Sequence, residues 1–301
     1  MKNKIITIFG AGFIAKNLIF ELLKENYAIR VVCRNPNLVG NLRSMANIEQ
    51  LEICHGNILN KASIENYIKN TDFIINTVGI LSESGNQNFH NCHILGPKNI
   101  SKFAKQYQVK KLIHISSLGA DRKSSVKYQS SKGQGEEETK KNFPKAIIVR
   151  PSIVFGSEDS FFNMQAKLVK LSPVIPLFNG GKNKFQCVFV NDLSLGIKKI
   201  LQSESSEGLT FEFGGPDIMT MKEVYELVIS ALNINRIFVP VPISIASLMG
   251  LIMQFLPTPL ITYDQVKMLK LDNIVTEKNN TLISLGIDPK SAKDIVPSYI
   301  K

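Results

Sequence analysis

The stretch Ile5-Ile6-Thr7-Ile8-Phe9-Gly10-Ala11-Gly12-Phe13-Ile14-Ala15 decides the fold. Ile5–Phe9 is apolar and rich in β-branched residues, the composition of a strand. Gly10 then permits a tight turn, Gly12 lets the backbone approach a pyrophosphate, and the small Ala15 lets a following helix pack close to the strand. Free N–H groups at that helix N-terminus, together with the helix dipole, favour an anion there. A Gly-x-Gly-x-x-Ala pattern is weak evidence by itself. Placed on the first strand-to-helix turn of a βαβ unit, it predicts a dinucleotide site.

Outward from that turn, the first half alternates strand-like and helix-like segments. Ile29–Cys33, Leu51–Cys54, Phe73–Thr77, Leu112–Ser116 and Ala146–Val149 read as strands. Several lack polar alternation, as parallel strands covered on both faces do. Amphipathic windows at Ile14–Leu23, Asn91–Tyr107 and Tyr128–Lys140 lie between them. This alternation predicts an α/β protein with a Rossmann-type doubly wound parallel sheet and right-handed crossovers. After Arg150-Pro151 the rhythm breaks, and prolines and glycine pairs punctuate shorter elements. The expected division is a dinucleotide-binding domain over 1–150 and a smaller α/β domain on the substrate or partner side over 151–301. A segment at about 185–205 is expected to pack back onto the first domain. Thr220 followed by Glu223 is a capping-box signal that opens a helix through about Leu232.

Composition narrows the class. At 301 residues, 44% hydrophobic and 20% charged, the chain reads as globular rather than disordered. A formal net charge of +11 suits nucleic acid or an anionic lipid surface. Lys outnumbers Arg and no long basic block appears, so a solvated Lys-rich surface is favoured and no nucleic-acid partner is expected. Cys33, Cys54, Cys92 and Cys187 are widely spaced, without Cys-x-x-Cys or a nearby His, so reduced thiols and no metal site are expected. The Ile5–Phe9 run is too short for a signal peptide. Ile243–Leu256, interrupted by Ser244, Ser247 and Gln254, falls short of the about 20 residues that span a bilayer. Within it Ile245, Leu248, Met249, Ile252, Met253 and Leu256 recur at helical spacing. Their apolar face either packs on its own domain, the favoured reading, or lies on a membrane or partner surface. A cytoplasmic protein is expected, with peripheral contact at the cytoplasmic face of the inner membrane under the second reading.

The second strand ends where an NAD-binding protein usually carries an acid for the ribose diol. Here Cys33 and Arg34 stand instead. With no carboxylate to repel a 2′-phosphate and a guanidinium to pair with it, NADP(H) is favoured over NAD(H). Lys16 either assists or is a solvated helix lysine; both readings stand.

A second pattern concerns chemistry. Tyr128-Gln129-Ser130-Ser131-Lys132 puts Tyr and Lys at i and i+4 on one helix face, and Ser116-Ser117 ends the strand that starts at Leu112. A phenol acting as general acid or base toward a carbonyl or alcohol needs its pKa lowered from about 10, which a nearby ammonium does. A Ser hydroxyl then orients the substrate oxygen, and Lys132 also holds the nicotinamide ribose.

These features resemble the short-chain dehydrogenase/reductase superfamily in its extended and atypical branches, with Ser117, Tyr128 and Lys132 at its Ser, Tyr and Lys positions. The resemblance narrows through Asn76-Thr77-Val78-Gly79-Ile80-Leu81, His114–Asp121, Arg150–Gly156, Asp159–Asn163, Phe185–Asp192 and Gly214-Gly215-Pro216. Together with Asp264-Gln265-Val266, Leu271-Asp272-Asn273 and Leu285–Pro289, these resemble one family across the whole chain. That family is the NAD(P)H-binding accessory subunit of respiratory complex I (the alpha-subcomplex subunit 9 family) and its bacterial relatives. It implies cofactor contacts at Gly10, Gly12, Phe13, Ile14, Arg34, Asn57, Thr77, Val78, Gly79, Tyr128, Lys132, Pro151 and Ser152.

The chain departs from that pattern in places. Only Ala11 separates Gly10 from Gly12 where the family has two residues, and the third small position is Ala15 rather than Gly. Gly133 follows Lys132 inside a helix, where it costs about 1 kcal/mol against Ala. His93 stands where superfamily enzymes carry the Asn of an Asn-x-x-Gly pattern that maintains a proton relay through the Lys. His93 is read as a packing side chain, with a relay of its own as the alternative. Two functions follow. In one, the dinucleotide is a structural ligand of a complex I subunit or assembly factor. In the other, the protein is an NADPH-dependent reductase, dehydrogenase or epimerase for a small lipophilic carbonyl or alcohol, with a substrate from quinone metabolism implied by the resemblance.

Overall fold

The computed structural model describes residues 4–25, 27–47, 49–253 and 263–301. In chain order the elements begin β1 (Lys4–Phe9), α1 (Phe13–Leu23), β2 (Tyr27–Cys33), β3 (Leu51–His55), α2 (Lys61–Ile68), β4 (Phe73–Asn76), α3 (Gly96–Gln106) and β5 (Lys111–Ile115). They continue α4 (Lys127–Asn142), β6 (Ile147–Pro151), β7 (Val154–Phe155), α5 (Phe161–Leu171), β8 (Val174–Phe178), β9 (Lys184–Phe185), β10 (Val188–Phe189) and α6 (Val190–Gln202). Last come β11 (Thr210–Phe213), β12 (Met219–Thr220), α7 (Met221–Leu232), β13 (Ile237–Val241), α8 (Ile243–Met253), α9 (Tyr263–Met268) and α10 (Ala292–Tyr299).

The chain divides into two units. The first comprises Met1–Pro151, Asn191–Glu212 and Glu277–Ile287. Its seven-stranded sheet runs β11-β6-β5-β4-β1-β2-β3, and every pairing from β6 to β3 is parallel. One lateral row, Val31–Ile8–Ile75–Ile113–Ile147, crosses five strands in register. All five side chains are fully buried. The central strands β4 and β5 are buried along their whole length, as strands covered on both faces are, and each buried apolar side chain contributes about 1.5–3 kcal/mol. The strand order reverses between β1 and β4, so the loops leaving those strands diverge and open a crevice at their carboxyl ends.

Polar ties hold the returning segments. Lys111 Nζ donates to the carbonyls of Leu201 and Ser203 at 2.7 Å, a cation on the C-terminal end of α6. Arg150 forms a two-pronged bond to Glu136, at 2.9 and 2.7 Å, and lies 3.6 Å from Glu212. That guanidinium joins α4, β6 and β11.

The segment read as one amphipathic helix over Asn91–Tyr107 is broken. A π-turn spans His90–Leu95, with the Gly96 N–H bonded to Asn91 O, and α3 follows. Pro97 explains it. Proline has no N–H to offer the His93 carbonyl four residues back, and its ring would clash with that carbonyl, so the helix widens.

The second unit comprises Ser152–Val190, Phe213–Thr276 and Asp288–Lys301. Its core gathers Phe155, Phe162, Val169, Ile175, Val224, Val228 and Val296 between α5, α7, α10 and short strands. Helix α7 starts with the capping box expected from Thr220 and Glu223, both halves formed. Asp159 caps α5 through the Phe162 N–H at 2.7 Å and accepts the Tyr299 hydroxyl at 2.6 Å, tying α10 to that corner. On α8 the apolar side chains Ile245, Leu248 and Ile252 are 51%, 59% and 63% exposed, while Ala246 is buried. Met249 is half-buried, so of the described residues of the face favoured for packing three point outward and one packs inward. Leu256, the last residue assigned to that face, lies outside the described residues, as does the Met253 side chain. Among the described residues no helix is long and apolar enough to cross a membrane.

Candidate functional site

The site begins at the β1–α1 turn. Gly10 adopts φ +100°, and a Cβ there would lie 2.6 Å from Thr77 Oγ1. Only glycine fits. Thr77 is fixed opposite it, its N–H and hydroxyl both donating to Phe9 O at 2.9 and 2.8 Å. Gly12 is the N-cap of α1, where no side chain caps the helix and no acid occupies the first turn. A Cβ added at Gly12 would meet nothing within 4 Å, so the helix end faces open space. Backbone donors at an unobstructed helix N-terminus fit a pyrophosphate.

A cleft of about 530 Å³ opens from that turn, lined by Gly10, Gly12, Arg34, Asn57 and Thr77–Ile80 among others. Seven residues expected to hold a dinucleotide thus share one wall: Gly10, Gly12, Arg34, Asn57, Thr77, Val78 and Gly79. Phe13 and Ile14 form the first turn of α1 beside it. Pro151 ends β6, its carbonyl accepting the Leu118 N–H at 3.0 Å. Ser152 lies in the second unit, and its hydroxyl donates to Asn273 Oδ1 at 2.6 Å. Neither lines the cleft. Cys33, Asn86, Gln87 and Cys92 do line it, although the sequence reading assigned them no contact. Cys33 ends β2 beside Arg34, whereas the placement of Asn86, Gln87 and Cys92 depends on how the segment after β4 folds, which no local spacing encodes.

Lys132 stands beneath this wall, its Nζ 3.2 Å from where a Cβ at Gly79 would be and 3.3 Å from the Ile115 carbonyl it donates to. Burial pulls its pKa down to about 8. Tyr128 lies one helical turn earlier, and burial raises its phenol pKa, an effect that Ser117 partly opposes. The shift runs opposite to the lowering expected from a nearby ammonium, and a phenol raised in this way is a proton donor at neutral pH. Among the described residues the buried Ser116 hydroxyl has no hydrogen-bond partner, and the Ser117 hydroxyl faces the Tyr128 phenol. The Ser116 hydroxyl is available to a ligand oxygen.

His93 connects these parts. Its Nε2 accepts the Ile80 N–H at 3.1 Å, and its Nδ1 meets Ser131 Oγ at 2.8 Å. Because Nε2 accepts, the proton sits on Nδ1 and is donated to Ser131, whose hydroxyl passes to Tyr128 O at 2.8 Å. Phe89 stacks on the imidazole at 5.2 Å and meets the Tyr128 ring edge-on at 5.9 Å. Burial, then the charge of Lys132, depresses His93 to about 3. The ring is 1% exposed, neutral and committed at both nitrogens. The packing role expected of it fits this geometry; a relay does not. His114, depressed to about 3 by burial, meets Asn76 Nδ2 through Nδ1 at 3.1 Å.

Glycines let α4 approach. A Cβ at Gly135 would overlap the His93 carbonyl oxygen that Pro97 leaves without its α-helical donor, and one at Gly133 would collide with the Arg122 backbone nitrogen. The residue that weakens the helix in isolation is required by what packs against it.

Comparison with known proteins agrees with this architecture. Residues 6–214 match the family described as the NAD dependent epimerase/dehydratase family. The chain is 30% identical over 289 residues to NADH dehydrogenase [ubiquinone] 1 alpha subcomplex subunit 9, mitochondrial, of Mus musculus, covering 95% of this chain and 76% of that protein. It is 26% identical over 297 residues to the NADH-ubiquinone oxidoreductase 40 kDa subunit, mitochondrial, of Neurospora crassa, covering 98% and 78%. The UDP-glucose 4-epimerase of Bifidobacterium longum, solved with NAD+ and UDP, shares the fold with a TM-score of 0.72 at 17% identity, over 99% of this chain and 97% of that one. The chain belongs to the NAD dependent epimerase/dehydratase family, as an NAD(P)-binding, atypical short-chain dehydrogenase/reductase related to the alpha subcomplex subunit 9 of mitochondrial NADH dehydrogenase.

Proposed function

We propose that the protein holds NADP(H), in preference to NAD(H), as a structural ligand and serves as an accessory subunit or assembly factor of a respiratory complex I. The observation that carries this reading is the state of His93. At the position of the family's relay Asn stands a neutral imidazole whose two nitrogens are both used inside the protein. A bound dinucleotide supplies a hydride donor or acceptor. The chain supplies the Gly10–Gly12 turn for its pyrophosphate, Arg34 for a 2′-phosphate, and Lys132 for its nicotinamide ribose. With no replenishing path for the Tyr128 proton through His93, binding without turnover is the function these residues serve best.

The relatives' printed names support the complex I assignment, and the exposed face of α8 supports peripheral contact with the membrane beside such a complex. Ligand binding to the native state alone stabilises it, by about 2.7 kcal/mol at a hundredfold excess over Kd. The test is to purify the full chain, release its nucleotide by denaturation and identify it by mass spectrometry. NADP(H) that raises the melting temperature, yet is not oxidised or reduced with quinone, aldehyde or ketone substrates, is the expected result. Recovery of no nucleotide, together with no thermal shift on adding one, overturns it.

A second reading is favoured by the assembled Ser117, Tyr128 and Lys132: a reductase, dehydrogenase or epimerase for a small lipophilic carbonyl or alcohol, such as a quinone-pathway intermediate. Tyr128, held protonated, would donate to the carbonyl oxygen while Ser117 orients it. Substrate-dependent NADPH oxidation abolished by Tyr128→Phe would establish this reading in place of the first.

A further inference from the structure

The loop that leaves β4 does not stay beside Lys132, which Gly79 faces. It forms a small hairpin in which Ser84 and Gln87 exchange backbone hydrogen bonds at 2.9 and 3.0 Å around a two-residue turn, with Gly85 at φ +54°. Its base is tied down. Asn91 Nδ2 donates to Asn86 O at 2.9 Å, and the Phe89 N–H donates to Glu83 Oε1 at 2.8 Å. From this frame Gln87 reaches Arg34, whose guanidinium donates to Gln87 Oε1 at 2.8 Å. Asn86, Gln87 and Arg34 all line the cleft.

The chemistry of that contact is specific. A guanidinium has five N–H donors, and a neutral amide oxygen occupies part of this set while leaving the positive charge intact. A carboxylate at the same point would pair with the charge and repel an incoming phosphate. The hairpin does carry a carboxylate, Glu83, but it accepts from the Phe89 N–H. We propose that Gln87 is a specificity-determining residue for the phosphorylated dinucleotide: it holds Arg34 in the cleft lining as a neutral partner, so that the guanidinium is placed and unneutralised for a phosphate monoester on the adenosine ribose. This rests on the reading of the cleft as a dinucleotide site. A neutral acceptor opposite Arg34 leaves its charge free to attract the phosphorylated cofactor, while the unphosphorylated one gains nothing from it.

Titration of the purified full chain with NADPH and with NADH tests it, on wild type, Gln87→Glu, Gln87→Ala and Arg34→Ala at one fixed salt concentration. Gln87→Glu is expected to weaken NADPH by about tenfold while moving NADH by less than about twofold, because only the phosphate meets the new charge. Gln87→Ala should fall between, since it frees Arg34 without neutralising it. Equal losses for both nucleotides in Gln87→Glu, or no loss for NADPH, overturn the proposal. Should Arg34→Ala leave the NADPH-to-NADH ratio unchanged, Arg34 is not the phosphate contact and the proposal fails while the dinucleotide reading stands. A wild-type chain that binds neither nucleotide overturns both.

Discussion

The Ile80 N–H points at Nε2 of His93 across 3.1 Å, and this single bond decides the protonation state of the ring. An acceptor nitrogen cannot carry the proton, so the other nitrogen does, and it is spent on Ser131. The loop flanking the cofactor cleft and the helix carrying Tyr128 and Lys132 are thereby held in one register by one neutral side chain.

The approach of α4 to the π-turn should be intolerant of a methyl group. Gly135→Ala gains helix propensity of about 1 kcal/mol, but its Cβ overlaps the His93 carbonyl. Overpacking against backbone costs about 1–3 kcal/mol. A net loss of stability in urea unfolding is expected, and a stabilised variant would contradict the close packing.

Acid should weaken the fold from pH 6.5 downward. His93 and His114 are both held near 3, whereas an unfolded histidine titrates at about 6.5. Between these values the unfolded chain binds more protons than the native one, so stability is full above about 6.5 and declines as pH falls toward 3. Urea midpoints measured from pH 7 to pH 4.5 should fall steadily, with a shallower fall in His93→Asn. A flat profile over that range would remove the assignment of two buried neutral imidazoles.

Tyr128→Phe separates holding from turnover. The hydroxyl is a proton donor in the reading of the site, not an anchor of the dinucleotide's phosphates. Affinity for NADPH should therefore stay within about twofold, while any substrate-dependent oxidation should drop by at least about a hundredfold.

The outward face of α8 should matter to association and not to folding. Replacing Ile245, Leu248 and Ile252 with Ser should change stability by about 0.5 kcal/mol or less per site, as for exposed positions generally. Flotation with anionic vesicles at low salt should fall in the triple variant. Wild-type protein that never floats would sink the membrane contact.

Much of this was legible because it is local. The Gly10–Ala15 turn, the Tyr128–Lys132 spacing and the Thr220–Glu223 cap each depend on residues within one turn or strand end, and each forms as read. What escaped depends on burial or on distant backbone. The direction of the Tyr128 shift is set by desolvation, which spacing does not report. Gln87 reaches Arg34 only because a tight hairpin folds back 53 residues along the chain. Gly133 looked like a weak helix residue because the Asp121–Arg122 backbone against it is not adjacent in sequence. Pro97 was a signal available from the start: a proline four residues after His93 forces the widened turn that frees the His93 carbonyl.

The first unit is assembled from three stretches of chain, the last being Glu277–Ile287. There the Glu277 N–H meets Glu212 Oε2 at 3.0 Å, and Lys199 donates to Leu285 O at 2.7 Å. During synthesis, therefore, the cofactor-binding half emerges first yet is finished nearly last. Until β11 is made, β6 is an open edge with unpaired backbone groups, the kind of edge on which chains pair with one another. A nascent chain stalled near residue 151 would carry the glycine turn and the cleft's lining on a sheet still able to recruit a stranger's strand.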